Sequence, residues 1–102
     1  MKVVTMSGSM RFQKEMPKIA KRLEAKYGYC VLQLVYDFEN EGFSEEEYKK
    51  VEEAHFKKID LCDILYVVDI DGYIGSSTKE EIEYAKKLGK EVMYFSDESG
   101  KV

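Results

Sequence analysis

The chain has no tryptophan, one proline, one histidine and two cysteines, and its apolar runs are short. None of those runs approaches the roughly 20 residues that a membrane-spanning helix needs, so no membrane association is expected. Cys30, Cys62 and His55 lack metal-ligand spacing, and neither a metal nor any other cofactor is expected. Both cysteines border apolar, strand-like residues and read as buried, reduced thiols of a cytoplasmic protein. The first residues run directly into a strand pattern, so a signal peptide is not expected either. Positive charge is also in short supply: 16 Lys and Arg against 20 Asp and Glu give a net charge of −4. That balance excludes the basic face with which proteins bind a nucleic-acid polymer. It leaves open a local phosphate site made from backbone amides. There is no internal repeat, no low-complexity segment, no nucleophilic-serine elbow and no cysteine–histidine pair.

What is present is an ordinary globular composition, 44% hydrophobic and 35% charged, in a chain of 102 residues. That length supports one domain over residues 1–102 with one core. Residues 2–6 (KVVTM) are short, apolar and β-branched, and predict a first strand. Ser7-Gly8-Ser9 ends it. Phe12, Met16, Ile19, Ala20, Leu23 and Tyr27 then recur at helical spacing. Pro17 fits a helix that begins near Gln13 or Lys14, and Gly28 fits its C-terminal cap. A second strand is expected over residues 29–36, followed by a polar, acidic loop over residues 37–42. Ser44 and Glu47 form a capping box, with Phe43 and Tyr48 at the hydrophobic-staple positions. The helix they open should turn Tyr48, Val51, His55 and Ile59 inward, with Lys57 and Lys58 suiting the dipole at its end. A third strand is expected over residues 61–68, a third helix ending at Leu88-Gly89, and a fourth strand over residues 91–95.

Strand–helix alternation of this kind implies an α/β fold: a three-layer, doubly wound parallel sheet, flavodoxin-like or Rossmann-like, with four or five strands. The strand order 2-1-3-4 is expected. It places a switch point between the first and third strands, where such folds bind ligands. The loops bordering that crevice are residues 7–11 and 69–78.

The second of these loops, with the helix start that follows it, holds the most informative residue. On a helical wheel Ile82, Ala85 and Leu88 define the apolar arc. Glu81 falls inside it, while Glu80 and Glu83 fall outside with Lys79, Lys86 and Lys87. An inward carboxylate below a polar loop suits a reaction site. The plainer reading is a capping box, Thr78 with Glu81 or Ser77 with Glu80. Asp69, at the end of the third strand, suits either a sugar-hydroxyl acceptor or a structural role. Asp71-Gly72 favours a simple turn. Ser7, Gly8 and Ser9 are compatible with a phosphate cradle, to which Arg11 adds an anion partner, and equally with an unliganded turn. His55 on an apolar face is more often a satisfied core residue than an acid or base. Most tyrosines and phenylalanines, at 27, 36, 38, 43, 48, 66, 94 and 95, are core by spacing. Tyr73, between two glycines, is placed to stack on a base or sugar, or to cover the crevice.

In three places the chain resembles the nucleoside 2-deoxyribosyltransferase superfamily, which includes 2'-deoxynucleoside 5'-phosphate N-hydrolases. Met6-Ser7-Gly8-Ser9-Met10-Arg11 is similar to its first-strand loop. Asp63-Ile64-Leu65-Tyr66-Val67-Val68 is similar to its Asp-led third strand. Residues 75–85 followed by Gly89-Lys90 are similar to its Gly/Ser-rich loop, its Glu-x-x-x-Ala helix start and its lead into the next strand. The resemblance implies cleavage or transfer at the N-glycosidic bond of a small nucleoside or nucleotide. Glu81 would be the nucleophile at the anomeric carbon, and the first loop, Ser7 to Arg11, would bind sugar or 5' groups. Gly75, Ser76 and Ser77 would form the loop that meets a 5'-phosphate. The family's aspartate eight residues before the strand-leading Asp63 falls on His55, so an imidazole or Asp69 is left as the proton donor. A homodimer is expected from a short sheet with exposed edges. A non-catalytic nucleotide-binding module and a small interaction domain are the alternatives.

Overall fold

The structure is a computed structural model that describes residues 1–37 and 42–98. Four strands, β1 (Val3–Gly8), β2 (Cys30–Leu32), β3 (Ile64–Val68) and β4 (Glu91–Tyr94), form one parallel sheet in the order β2-β1-β3-β4. Three helices connect them: α1 (Met16–Tyr27), α2 (Glu45–Leu61) and α3 (Ser76–Lys87). Short 3₁₀ turns follow β1, β3 and β4, at Met10–Phe12, Ile70–Gly72 and Phe95–Glu98. This is the three-layer α/β fold that the alternation of elements implies. No helix among the described residues is long and apolar enough to cross a membrane.

Every residue of β3 is buried, as a central parallel strand covered on both faces must be. Its side chains alternate between two cores. Ile64, Tyr66 and Val68 join Val4, Met6, Met16, Ile19 and Leu23 under α1. Leu65 and Val67 join Ile59, Ile82 and Ala85 under α2 and α3. The period-2 geometry of one strand therefore builds both layers.

Several local readings hold. Pro17 lies in the first turn of α1, and Gly28 caps its end at φ +70°. The Ser44–Glu47 capping box is complete in both directions, with Ser44 Oγ accepting from Glu47 N and Glu47 Oε1 from Ser44 N. The Phe43 and Tyr48 rings meet edge to face at 5.3 Å. Cys30 and Cys62 are free thiols, half-buried and buried.

Other boundaries move. β2 is three residues long rather than eight. Past Leu32 its ladder is replaced by side-chain bonds: Lys58 Nζ donates to the Gln33 carbonyl (2.6 Å), and Asp37 N donates to Gln13 Oε1 (3.1 Å). β3 starts at Ile64, because Leu61 closes α2 and is exposed while Asp63 starts the ladder with Val3. α1 starts at Met16, after a separate 3₁₀ turn. Tyr48 is 57% exposed and is a staple rather than a core residue, and the exposed Leu88 caps α3 instead of packing beneath it. Tyr27 is also exposed, stacked on Tyr29 at 5.6 Å. Phe38, most of the acidic loop and the tail beyond Glu98 lie outside the described residues.

Removing the Ser44 hydroxyl leaves first-turn donors of α2 without a partner. Ser44→Ala should cost about 1 kcal/mol, read as a lower urea midpoint at unchanged slope. Tyr66, fully buried, donates its hydroxyl to Glu98, and burial followed by that bond pushes its phenol well above 10.0. Burial pushes Tyr36 up to about 12. The unfolded chain thus releases these protons first, so stability should fall as pH rises past about 10. Tyr66→Phe should flatten part of that fall in alkaline denaturation monitored by circular dichroism.

Candidate functional site

β1 and β3 finish side by side, with Gly8 opposite Val68. The chain diverges on either side of this pair, so a crevice opens at the carboxyl edge of the sheet. Gly8 is required there by proximity: a β-carbon would come 3.1 Å from the Val68 carbonyl oxygen, 3.2 Å from Val68 Cβ and 2.8 Å from Met16 Cε. Ser9 Oγ accepts from Arg11 N (3.2 Å) and turns the chain into the 3₁₀ segment. On the other side Asp71 and Gly72 adopt left-handed conformations (φ 56° and 77°), and Gly72 N and Tyr73 N close the turn onto the carbonyls of Asp69 and Ile70. This is the plain turn that Asp71-Gly72 suggests. It brings Tyr73 back over the crevice, edge-on to Phe12, with the Arg11 guanidinium 3.6 Å from its ring centroid.

α3 then begins at Ser76, with Gly75 as N-cap and no side-chain cap bond. Neither capping box forms. Ser77 and Thr78 lie inside the first turn, and Glu81 turns inward rather than back toward the helix start. Its side chain is 14% exposed, its Oε1 accepts from Ser7 Oγ, and His55 Nε2 lies 3.2 Å from that oxygen. The imidazole nitrogen is at ion-pair distance but off hydrogen-bonding geometry, and among the described residues it has no hydrogen-bond partner. Ser7 is fully buried and His55 is 7% exposed. Three elements therefore converge on one carboxylate: β1 through Ser7, α2 through His55 and α3 through Glu81. Glu80 and Glu83, one position before and two after, are exposed.

The cluster forms part of the wall of a cavity of about 530 Å³, a size suited to a small organic ligand. Gly8, Ser9, Met10 and Gln13 line it from the first loop and Leu34, Val35 and Asp37 from the end of β2. Phe43, Tyr48, Val51, Glu52, His55 and Lys58 line it from α2 and its approach. Tyr73, Gly75, Ser76, Ser77, Thr78 and Glu81 complete the wall. The structure thus gathers Gly8, Ser9, His55, Tyr73, Gly75, Ser76, Ser77 and Glu81 around one space. Ser7 is not a cradle residue, since its hydroxyl points at Glu81. Arg11 stacks on Tyr73 and is not part of the lining.

Asp69 stands apart. It is 5% exposed, and its two oxygens accept from Ser96 N (2.8 Å) and Ser96 Oγ (2.6 Å). It fastens the end of β3 to the turn after β4 and does not line the cavity. Among the described residues no three or more His, Cys, Asp or Glu side chains are grouped to hold a metal ion.

The model of DUF4406, a domain of unknown function, matches residues 4–94 and so spans Ser7, His55 and Glu81. The chain belongs to the DUF4406 family. No curated protein matches it.

The wall of this DUF4406 domain includes residues the sequence reading passed over. Glu52 and Lys58 lie three positions either side of His55 on α2, so helical spacing alone marks them as sharing its face. Asp37 and Gln13 carry no such signal, because they meet only where β2 leaves the sheet.

The close packing at Gly8 is open to a direct test. Gly8→Ala should cost about 1–3 kcal/mol by thermal or urea unfolding, because Met16 can move but the Val68 backbone cannot.

Proposed function

We propose that this domain cleaves the N-glycosidic bond of a small nucleoside or nucleotide, by hydrolysis or by transfer of the deoxyribosyl group, with Glu81 as the nucleophile. The observation that supports this reading is the Glu81 carboxylate itself, largely withdrawn from water in a ligand-sized cavity and held by Ser7, with the buried His55 Nε2 3.2 Å away and without a hydrogen-bond partner among the described residues. Breaking a bond between a sugar and a base develops positive charge at the anomeric carbon. A fixed carboxylate stabilises that charge or traps it covalently. His55 acts on the carboxylate rather than across the sugar from it, and so serves as a positioning residue.

The remaining wall suits the rest of such a substrate. The uncapped first turn of α3 offers backbone N–H groups, and Ser76 and Ser77 add hydroxyls, for a 5'-phosphate. Tyr73 offers a ring face or edge at the crevice. Two free thiols suit a cytoplasmic setting. The sheet edges β2 and β4 suit a homodimer, which sedimentation would reveal.

A second reading, a nucleotide-binding module without turnover, is favoured by one observation. Asp69, the other acid at the carboxyl edge of β3, is committed to Ser96.

Assays for free base with deoxynucleosides and their monophosphates decide between the two. Release is expected, with Glu81→Gln and Glu81→Ala lowering it at least about a thousandfold. His55→Asn should lower kcat roughly a hundredfold with little change in KM. Thermal stabilisation by nucleotides without base release would establish the binding module instead.

A further inference from the structure

The proposed reaction raises a problem that the site's geometry answers. A neutral base leaves a sugar readily only if something protonates it. The acids and imidazole of the crevice are poorly placed for that. His55 Nε2 lies against Glu81, on the side of the nucleophile. Asp69 has both oxygens bonded to Ser96. Of the remaining acids on the wall, Glu52 is exposed and Asp37 only half-buried, whereas a carboxyl that donates a proton near neutral pH needs a desolvated pocket. Three carboxylates nevertheless line the cavity, Asp37, Glu52 and Glu81, against the ammonium of Lys58, which is tied to the Gln33 carbonyl at 2.6 Å. The rings of Phe43 and Tyr48 add aromatic surface to that wall, while Tyr73, also in the lining, already carries the Arg11 guanidinium over its ring at 3.6 Å. Carboxylates with aromatic faces form a setting for an organic cation.

We infer that the substrates of this site are N-glycosides of a positively charged base: pyridinium nucleosides or nucleotides, or purine nucleosides or nucleotides alkylated at N7. The inference rests on the reading of Glu81 as nucleophile given above. For such a substrate the chemistry closes without an acid. A Glu81 carboxylate oxygen forms a bond to the anomeric carbon as the bond from that carbon to the ring nitrogen breaks. The bonding pair goes to the nitrogen and cancels its charge, so the base leaves neutral with no proton supplied. Water then adds to the anomeric carbon, releases Glu81 as the carboxylate and gives up one proton. In the transition state positive charge shifts from the base toward the anomeric carbon, beside the Glu81 carboxylate, and the bond to Glu81 then cancels it.

The test pairs 2'-deoxyguanosine 5'-monophosphate and guanosine 5'-monophosphate each with its own 7-methyl derivative, alongside nicotinamide mononucleotide and the other three common deoxynucleoside monophosphates. Free base is measured for the intact domain, with Glu81→Gln as the background. The charged substrates should exceed their neutral counterparts in kcat/KM by at least about a hundredfold, the factor an absent general acid leaves uncovered. Asp37→Asn should raise KM for the charged substrates about two- to fivefold at unchanged kcat. Cleavage of neutral nucleotides at comparable rates overturns the inference while leaving the nucleophile in place. So does a collapse of kcat for neutral nucleotides in Asp37→Asn, since Asp37 would then be the proton donor. Release of base from none of these substrates overturns the glycosidase reading and this inference with it.

Discussion

A carboxylate taken out of water must be met by donors or by charge, and in this domain that requirement falls on Glu81. The Ser7 hydroxyl meets it directly, and the His55 ring stands 3.2 Å away without completing a hydrogen bond. None of the three residues is near another in sequence. Their meeting depends on β1 being buried from Val4 to Ser7, on α2 laying His55 over the sheet, and on α3 starting early enough to turn Glu81 inward. Removing Ser7 or His55 would leave an underprovided charge within the fold. The site is therefore coupled to the packing around it.

That coupling constrains the elements on either side. β1 and β3 must finish level, which Gly8 permits by letting the backbone pass Val68 without a side chain between them. β2 must stop short, because the space beyond Leu32 is the cavity. Its wall is kept open by Lys58 bonding to Gln33 and Gln13 bonding to Asp37 in place of further ladder. A longer β2 would add sheet at the cost of the pocket.

The residues that were legible in advance are those whose placement follows from local periodicity. Ser44 and Glu47 cap α2, Gly28 ends α1, and the wheel turns Glu81 toward the sheet because three- and four-residue spacing fixes a helical face. The alternation of strands and helices likewise carries the sheet order, since right-handed crossovers leave few arrangements. The unreadable residues depend on contacts distant in sequence. Asp69 and Ser96 meet only through strand neighbours, and Ser7 faces Glu81 rather than a ligand because of a bond spanning almost the whole domain. The length of β2 is hidden for the same reason: its apolar residues continue past Leu32, but Leu34 and Tyr36 pack on the core under α1 from outside the ladder.

Two carboxylates at the carboxyl edge of the sheet have been given opposite environments, and the difference assigns their work. Asp69 accepts from a backbone amide and a hydroxyl of one residue, one bond to each oxygen, and so fastens the turn after β4. Nearby the Glu98 carboxylate accepts from Tyr66 and pairs with Arg22 at 3.5 Å, holding the same turn after β4 against α1. The closing segment of the described chain is thus anchored at two points, Ser96 on Asp69 and Glu98 on Tyr66 and Arg22. Among the described residues Glu81 accepts from one hydroxyl, with His55 Nε2 3.2 Å away and without a hydrogen-bond partner, and it lines the cavity. The contrast lies in access: Asp69 does not line the cavity, whereas Glu81 is part of its wall. This contrast supports the proposal that Glu81, rather than Asp69, is the nucleophile.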